Sequence, residues 1–327
     1  MGASSPKVRR RRRTGRRFDG ASALLALVAA NPTVPAIARA SALSELHARV
    51  SPATIELARK GLSDPDPTVR IAALEMLDGL PGDRIWTLVS PLLSDPSRGV
   101  RITAASVLAV VPTARQPSSD REAFDRAADE FIAAQRFNAD RPEARSALGN
   151  FFVRRGLTAD AENEYKAGLR LSPQFAPAAI NLADLYRQLH RDDDAQNVLR
   201  TALASSPKDA GLHHALGLTL TRQKRPDDAL VEFRAATELE PDRSRYAYVY
   251  AVALHSLGRV DESLNVLKQN LARHAEDRDT LLALVTFNRD AGNIGVALDY
   301  AEQLSRAAPN DHEVTRLTNE LRARLQR

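Results

Sequence analysis

A pattern of residue types that returns every 34 positions constrains this chain more than any other feature. From Pro142, the markers Leu148-Gly149, Phe152, Gly156, Ala161, Tyr165 and Pro173 come back as Leu182-Ala183, Tyr186, His190, Ala195, Leu199 and Pro207. They come back again as Leu216-Gly217, Leu220, Lys224, Ala229, Phe233 and Pro241. Two looser copies follow: Tyr250-Ala251, Leu254, Gly258, Ser263, Leu267, Ala275, then Leu284-Val285, Asn288, Gly292, Ala297, Ala301, Pro309. A unit this short cannot bury an apolar face alone, so the copies must stack. Small residues at the eighth and twentieth positions let the two helices of a unit touch. Large apolar residues at the seventh, eleventh and twenty-fourth fill the space between units, and a late proline stops the second helix. Asp120–Arg136 reads as an incomplete leading unit, with Ala127, Phe131 and Ala134 in second-helix register. Asp311–Gln326 places Val314, Leu317 and Leu321 on one face, as a terminal capping helix does.

These residue types at this spacing resemble the tetratricopeptide repeat (TPR) family, over residues 121–327. Upstream the period changes to 31. Arg39, Arg70 and Arg101 are evenly spaced, as are Ala42, Ala73 and Ala104, and Leu46, Leu77 and Leu108. Asp64-Pro65 with Val69-Arg70, and Asp95-Pro96 with Val100-Arg101, give two units a fuller signature. This resembles short HEAT-like repeats, in which the arginine bridges to acidic groups of a neighbouring unit; Trp86 is expected to anchor their core. The expected fold is all-α: an α-solenoid of HEAT-like repeats over 19–111, a proline- and serine-bearing linker over 112–120, and a TPR superhelix over 121–327.

The formal net charge is +5. Lys7, Arg9 to Arg13, Arg16 and Arg17 supply eight positive charges; subtracting them from +5 leaves −3 for the rest. The body therefore gives no electrostatic case for nucleic acid. The basic arm, residues 1–18, reads as a solvated disordered end. Two other readings stay open for it: contact with nucleic acid or anionic membrane, or a twin-arginine export signal running Arg16-Arg17-Phe18 into Ala21–Ala30. Asp19 and the Asn31-Pro32 break speak against the latter. The expected compartment is cytoplasmic, with periplasmic as the alternative if such a signal is used. No apolar run reaches the roughly 20 residues of a membrane span.

The sequence has no cysteine, which removes thiolate metal sites, disulfides, CxxCH haem attachment and a cysteine nucleophile. No phosphate-binding glycine loop is present, and the seven histidines form no metal-ligand spacing. Asp192-Asp193-Asp194 stands where a second helix begins, and is expected to cap it; Asp227-Asp228 and Asp261-Glu262 hold the same place later. No enzyme, no cofactor and no metal are expected.

First helices of such an array line a concave groove. The fifth, ninth, twelfth and thirteenth positions face it. Among them, Asn150, Arg154, Asp184, Arg187, Gln188, His214, Arg222, Tyr248, His255 and Arg289 are the expected partner-binding residues. Arginine and tyrosine anchor interfaces well, so the expected ligand is a protein or peptide segment with an acidic group. Asn150 and Asn181 match the asparagines of TPR carboxylate clamps, but Ser146, Gly211 and Ala215 stand where the clamp's basic groups would be. No chaperone adaptor is expected.

The order of the two arrays, with Arg245-Tyr246-Ala247-Tyr248-Val249-Tyr250-Ala251-Val252-Ala253-Leu254 leading to Gly258, resembles the C-terminal half of a bacterial multihaem cytochrome c family. That resemblance implies a second role, docking a redox partner in a periplasmic electron-transfer assembly. The haem-binding residues themselves are missing here. The leading expectation is a non-catalytic scaffold that holds a partner segment in the TPR groove.

Overall fold

The computed structural model describes residues 15–47, 51–308 and 311–326. Lys7, Arg9 to Arg13 and Pro309, singled out in the sequence, lie outside them. Among the described residues are eighteen α-helices and no strand. The chain divides into two compact units, residues 1–139 with 150–157, and residues 140–149 with 158–327.

The first unit holds α1 (Gly15–Ala30), α2 (Ala36–Leu46), α3 (Pro52–Gly61), α4 (Pro67–Leu77), α5 (Gly82–Val89), α6 (Arg98–Leu108) and α7 (Arg121–Phe137). Helix α1 opens at Gly15, inside the segment read as arm. The 31-residue arginines form a ladder. Arg39 Nη2 meets Asp64 Oδ1 at 2.9 Å, and Arg70 Nη2 meets Asp95 Oδ1 at 2.8 Å. Arg70 and Arg101 each donate a second nitrogen to the carbonyl of their own turn's aspartate, Asp64 and Asp95, at 2.7 and 2.8 Å. Each aspartate thus takes a guanidinium on its side chain and the next rung's guanidinium on its backbone. The ladder ends on Glu130 of α7, bound by Arg101 at 2.9 Å. Trp86 is buried against Phe124, with ring centroids 5.8 Å apart, and its indole N–H donates to Asp120 at 2.9 Å.

Helix α8 (Pro142–Arg154) contributes to both units. The second unit continues with α9 (Thr158–Leu171), α10 (Ala176–Gln188), α11 (Asp192–Ser205), α12 (Ala210–Arg222) and α13 (Pro226–Leu239). It ends with α14 (Ser244–Ser256), α15 (Val260–Arg273), α16 (Arg278–Asp290), α17 (Ile294–Ala307) and α18 (His312–Leu325). Helices α9, α11 and α13 stop two residues before Pro173, Pro207 and Pro241.

Volume is traded between two positions of each 34-residue unit. A Cβ on Gly149 would lie 2.4 Å from the Tyr165 ring, and one on Gly217 would lie 2.5 Å from the Phe233 ring. Where the eighth position is alanine, at 183 and 251, the twenty-fourth is leucine, at 199 and 267; where it is Val285, the partner position is Ala301. All ten residues are buried. Close packing explains the trade, because each pair must fill one fixed inter-helix space without overlap.

The turn inside each unit needs a left-handed residue. Gly156, Gly258 and Gly292 supply φ of 73°, 76° and 81°. At the same register His190 and Lys224 adopt φ of 57° and 59°, a conformation that costs a residue with a Cβ.

Candidate functional site

Helices α10, α12 and α14 are the first helices of successive repeats, and together they line a cavity of about 400 Å³ within the second unit. Three apolar side chains, Ile180, Ala215 and Leu218, contribute to its wall. Three guanidinium groups, Arg187, Arg243 and Arg245, line it with a single carboxylate, Asp184. Asp184 pairs with Arg187 one turn along α10. Burial pushes the Asp184 carboxyl above its usual range, and the Arg187 charge pulls partly against that.

His214 also lines the cavity. Its ring lies 4.8 Å from the Tyr246 ring and 5.8 Å from that of Phe233. Burial, then the positive charges of Arg245, Arg187 and Arg243, push its pKa down to about 4. The imidazole is therefore neutral at pH 7, and its buried Nδ1 has no hydrogen-bond partner among the described residues. The Tyr246 hydroxyl accepts from Arg243 Nη1 at 2.9 Å. Gly211 keeps this corner open: a Cβ there would sit 3.1 Å from Ile180 Cδ1 and 3.2 Å from Asp209 Oδ1.

Of the residues expected to bind a partner, Asp184, Arg187 and His214 come together here. Tyr248 is half-buried against the cluster formed by α14, α15 and α16, with the Arg245 guanidinium 5.9 Å from its ring centroid. The others go elsewhere. Arg222 binds Asp192 of the preceding repeat at 2.8 Å. His255 stacks on Phe287 with centroids 3.7 Å apart, and Arg289 pairs with its neighbour Asp290. Gln188 and Asn150 are exposed and outside the cavity.

Arg154 requires a correction. It belongs to the first unit, where it binds both carboxylate oxygens of Asp78 at 2.7 Å, so its charge is already matched. The aspartate run is corrected too. Helix α11 has Arg191 as N-cap and no side-chain cap. Asp192 and Asp193 instead accept from Arg222 and Gln223 of the next repeat, and Asp194 accepts from Arg191. They still meet the positive end of the α11 dipole.

Sequence reasoning missed Arg243 and Arg245. Arg245 had a readable signal. It holds the second position of its unit, and positions 2, 5, 9 and 12 make one helical stripe at the i, i+3, i+7 spacing. Among the described residues no group of three or more His, Cys, Asp or Glu could hold a metal ion. No described helix is long and apolar enough to cross a membrane.

Comparison with known proteins identifies the repeats. Residues 152–219 and 214–277 each match a tetratricopeptide repeat family profile. Residues 152–277 are thus tetratricopeptide repeats, and the fold class is an all-α solenoid. Protein FlbA of Caulobacter vibrioides is 28% identical over 181 residues, which is 55% of this chain. The chain spans only 29% of that relative's length. Among solved structures, PilW, a type IV pilus biogenesis factor, is similar with a TM-score of 0.50 and 16% identity, over 66% of this chain and 97% of that one. YrrB, a TPR protein with a peptide-binding site, aligns with a TM-score of 0.44 and 19% identity, over 58% of this chain and 97% of that one.

Proposed function

We propose that the second unit is a non-catalytic scaffold that captures an acidic segment of a partner protein in the cavity formed by α10, α12 and α14. The observation that carries this reading is the charge imbalance of the cavity: three guanidinium groups line it against one carboxylate. Arg187 is held by Asp184 and the exposed Arg243 stands 3.8 Å from Glu240, while the exposed Arg245 has no carboxylate partner among the described residues, so an incoming carboxylate gains charge-assisted hydrogen bonds there. The apolar wall of Ile180, Ala215 and Leu218 offers the peptide's own apolar atoms a place to bury. Stacked helical repeats present such surfaces to extended segments.

The test is fluorescence anisotropy of the full chain with labelled oligoglutamate, oligoserine and oligolysine peptides. Oligoglutamate should bind alone, and more weakly as salt rises. Changing Arg187, Arg243 and Arg245 together to Gln should abolish binding, while Arg222→Gln with Arg289→Gln should leave it unchanged. Equal binding of oligoserine, or retention of oligoglutamate by the triple variant, would count against the reading.

A further inference from the structure

Helix α1 presents an exposed face unlike that of α3 in the same unit. Ala23, Leu24, Leu27 and Ala30 are all exposed, Leu24 by 64% and Leu27 by 67%. Positions 23, 27 and 30 follow the i, i+4, i+7 spacing, and Leu24 lies three residues before Leu27, so the four form one stripe. From Gly20 to Ala38 the sequence holds no Lys, Arg, His, Asp or Glu. Past the turn, Ile37 in the first turn of α2 is exposed by 67% within the same uncharged stretch. The exposed residues of α3, by contrast, include Glu56, Arg59 and Lys60. The ladder holds the α1 stripe in place: Arg39 donates Nη1 to the Pro32 carbonyl at 3.2 Å and so pins the α1–α2 turn.

Charge is the second observation, independent of the first. Lys7, Arg9 to Arg13, Arg16 and Arg17 precede the uncharged stretch in the chain, against the one carboxylate of Asp19. An exposed apolar stripe marks a surface for a partner or a membrane, and the neighbouring charge decides which. A second copy of the chain would bring eight more cations to the same place, which disfavours pairing α1 with itself. Nucleic acid would meet the cations but leave Leu24 and Leu27 in water. A bilayer with anionic headgroups uses both features: the cations meet the headgroups and the leucines enter the acyl boundary. Each basic side chain close to such a surface contributes about fivefold in affinity. The basic run therefore dominates the binding, and the leucines fix which face docks.

We propose that α1 docks the protein on an anionic lipid bilayer, lying along the surface with Leu24 and Leu27 in the acyl boundary and the basic run of residues 7–17 on the headgroups. The helix has 16 residues, fewer than the roughly 20 that a membrane span needs. The proposal uses only the first unit and is independent of the acidic-segment reading above.

The experiment exploits the absence of native cysteine. In the full chain, Leu27→Cys and, as a control in the second unit, Gln188→Cys are labelled with an environment-sensitive fluorophore. Each is mixed with vesicles of phosphatidylcholine alone or of phosphatidylcholine and phosphatidylglycerol in equal parts. Ala30→Cys, on the same stripe, repeats the reading with both leucines in place. Co-flotation should need phosphatidylglycerol and fade as salt rises. The stripe labels should brighten and shift to the blue on binding, while the Gln188 label stays unchanged. Changing Arg9 to Arg13 all to Gln should weaken binding by more than about a hundredfold, and Leu24→Ser with Leu27→Ser by about tenfold. Trp86 fluorescence and circular dichroism check that the variants stay folded. Equal flotation on phosphatidylcholine alone, or flotation with both stripe labels unchanged, overturns the proposal. So does a stripe label that brightens with protein concentration in the absence of vesicles, which assigns the stripe to a second copy. Absence of flotation overturns it outright, and capture by duplex DNA in that case assigns the basic run to nucleic acid.

Discussion

The arginine ladder of the first unit and the arginine-lined cavity of the second use the same side chain differently. In the first, Arg39 and Arg70 are nearly buried and each holds a carboxylate of the next rung; Arg101 and Arg154 are matched as closely, by Glu130 and Asp78. Every one of those charges is neutralised inside the fold. In the second unit, Arg187, Arg243 and Arg245 gather on one cavity with a single carboxylate among them. The same side chain is cement where anions are supplied at its own period, and lines an open cavity where fewer are supplied. The second unit adds matched volumes, glycine against aromatic and alanine against leucine, to ion pairs between repeats such as Arg222–Asp192.

The largest expected effect breaks the ladder. Arg70→Ala leaves Asp95 buried without its cation and removes the donor to the Asp64 and Pro65 carbonyls. Orphaning a buried pair costs about 3–5 kcal/mol. Trp86, the sole tryptophan and placed in the first unit, reports that unit's unfolding by fluorescence during urea titration. A change under 1 kcal/mol there would mean the ladder is ornamental.

Next is the volume match. Gly217→Ala sets a Cβ 2.5 Å from the Phe233 ring, and overpacking of that kind costs about 1–3 kcal/mol despite alanine's better helix propensity. Adding Phe233→Leu recreates the Ala183–Leu199 pairing and should recover much of the loss, as followed by circular dichroism. Failure of the double variant to recover would show that the two positions do not share one space.

Third are the strained turns. His190→Gly and Lys224→Gly should each stabilise by about 1 kcal/mol, since glycine meets φ near +60° without a Cβ clash. Thermal melts of the two variants check the sign. Smallest is the cavity itself. Arg245→Gln should move stability by no more than about 0.5 kcal/mol, as surface changes away from structural contacts do. A loss like that of Arg70→Ala would erase the distinction between the two kinds of arginine.

The repeat register was legible because steric demands recur at fixed spacing. Leu148, Ala161 and Tyr165 at their positions already require a packed helix pair. The turn position was legible where it is Gly156 or Gly292, but His190 and Lys224 carry no sign of a left-handed backbone. Within the candidate site, Asp184, Arg187 and His214 followed from the groove register. Arg245 lies on the same stripe, but outside the four positions per unit that the register assigns to the groove. Arg154 was not legible at all: its partner Asp78 stands 76 residues earlier, and no local pattern links them. The stretch Arg245–Leu254, which carries the cytochrome resemblance, has a simpler physical account. Tyr246, Ala247, Tyr250, Ala251 and Leu254 are core residues of α14, so helix packing alone demands much of its pattern.

The most direct measurement is the NMR of arginine side-chain Nε–H groups in the full chain, assigned by single Arg→Lys variants and titrated with oligoglutamate. The account predicts that the Arg187, Arg243 and Arg245 signals move together and saturate at one affinity, while those of Arg39, Arg70, Arg101 and Arg154 stay fixed. Movement confined to Arg222 and Arg289, or uniform drift of all exposed arginines without saturation, would contradict it.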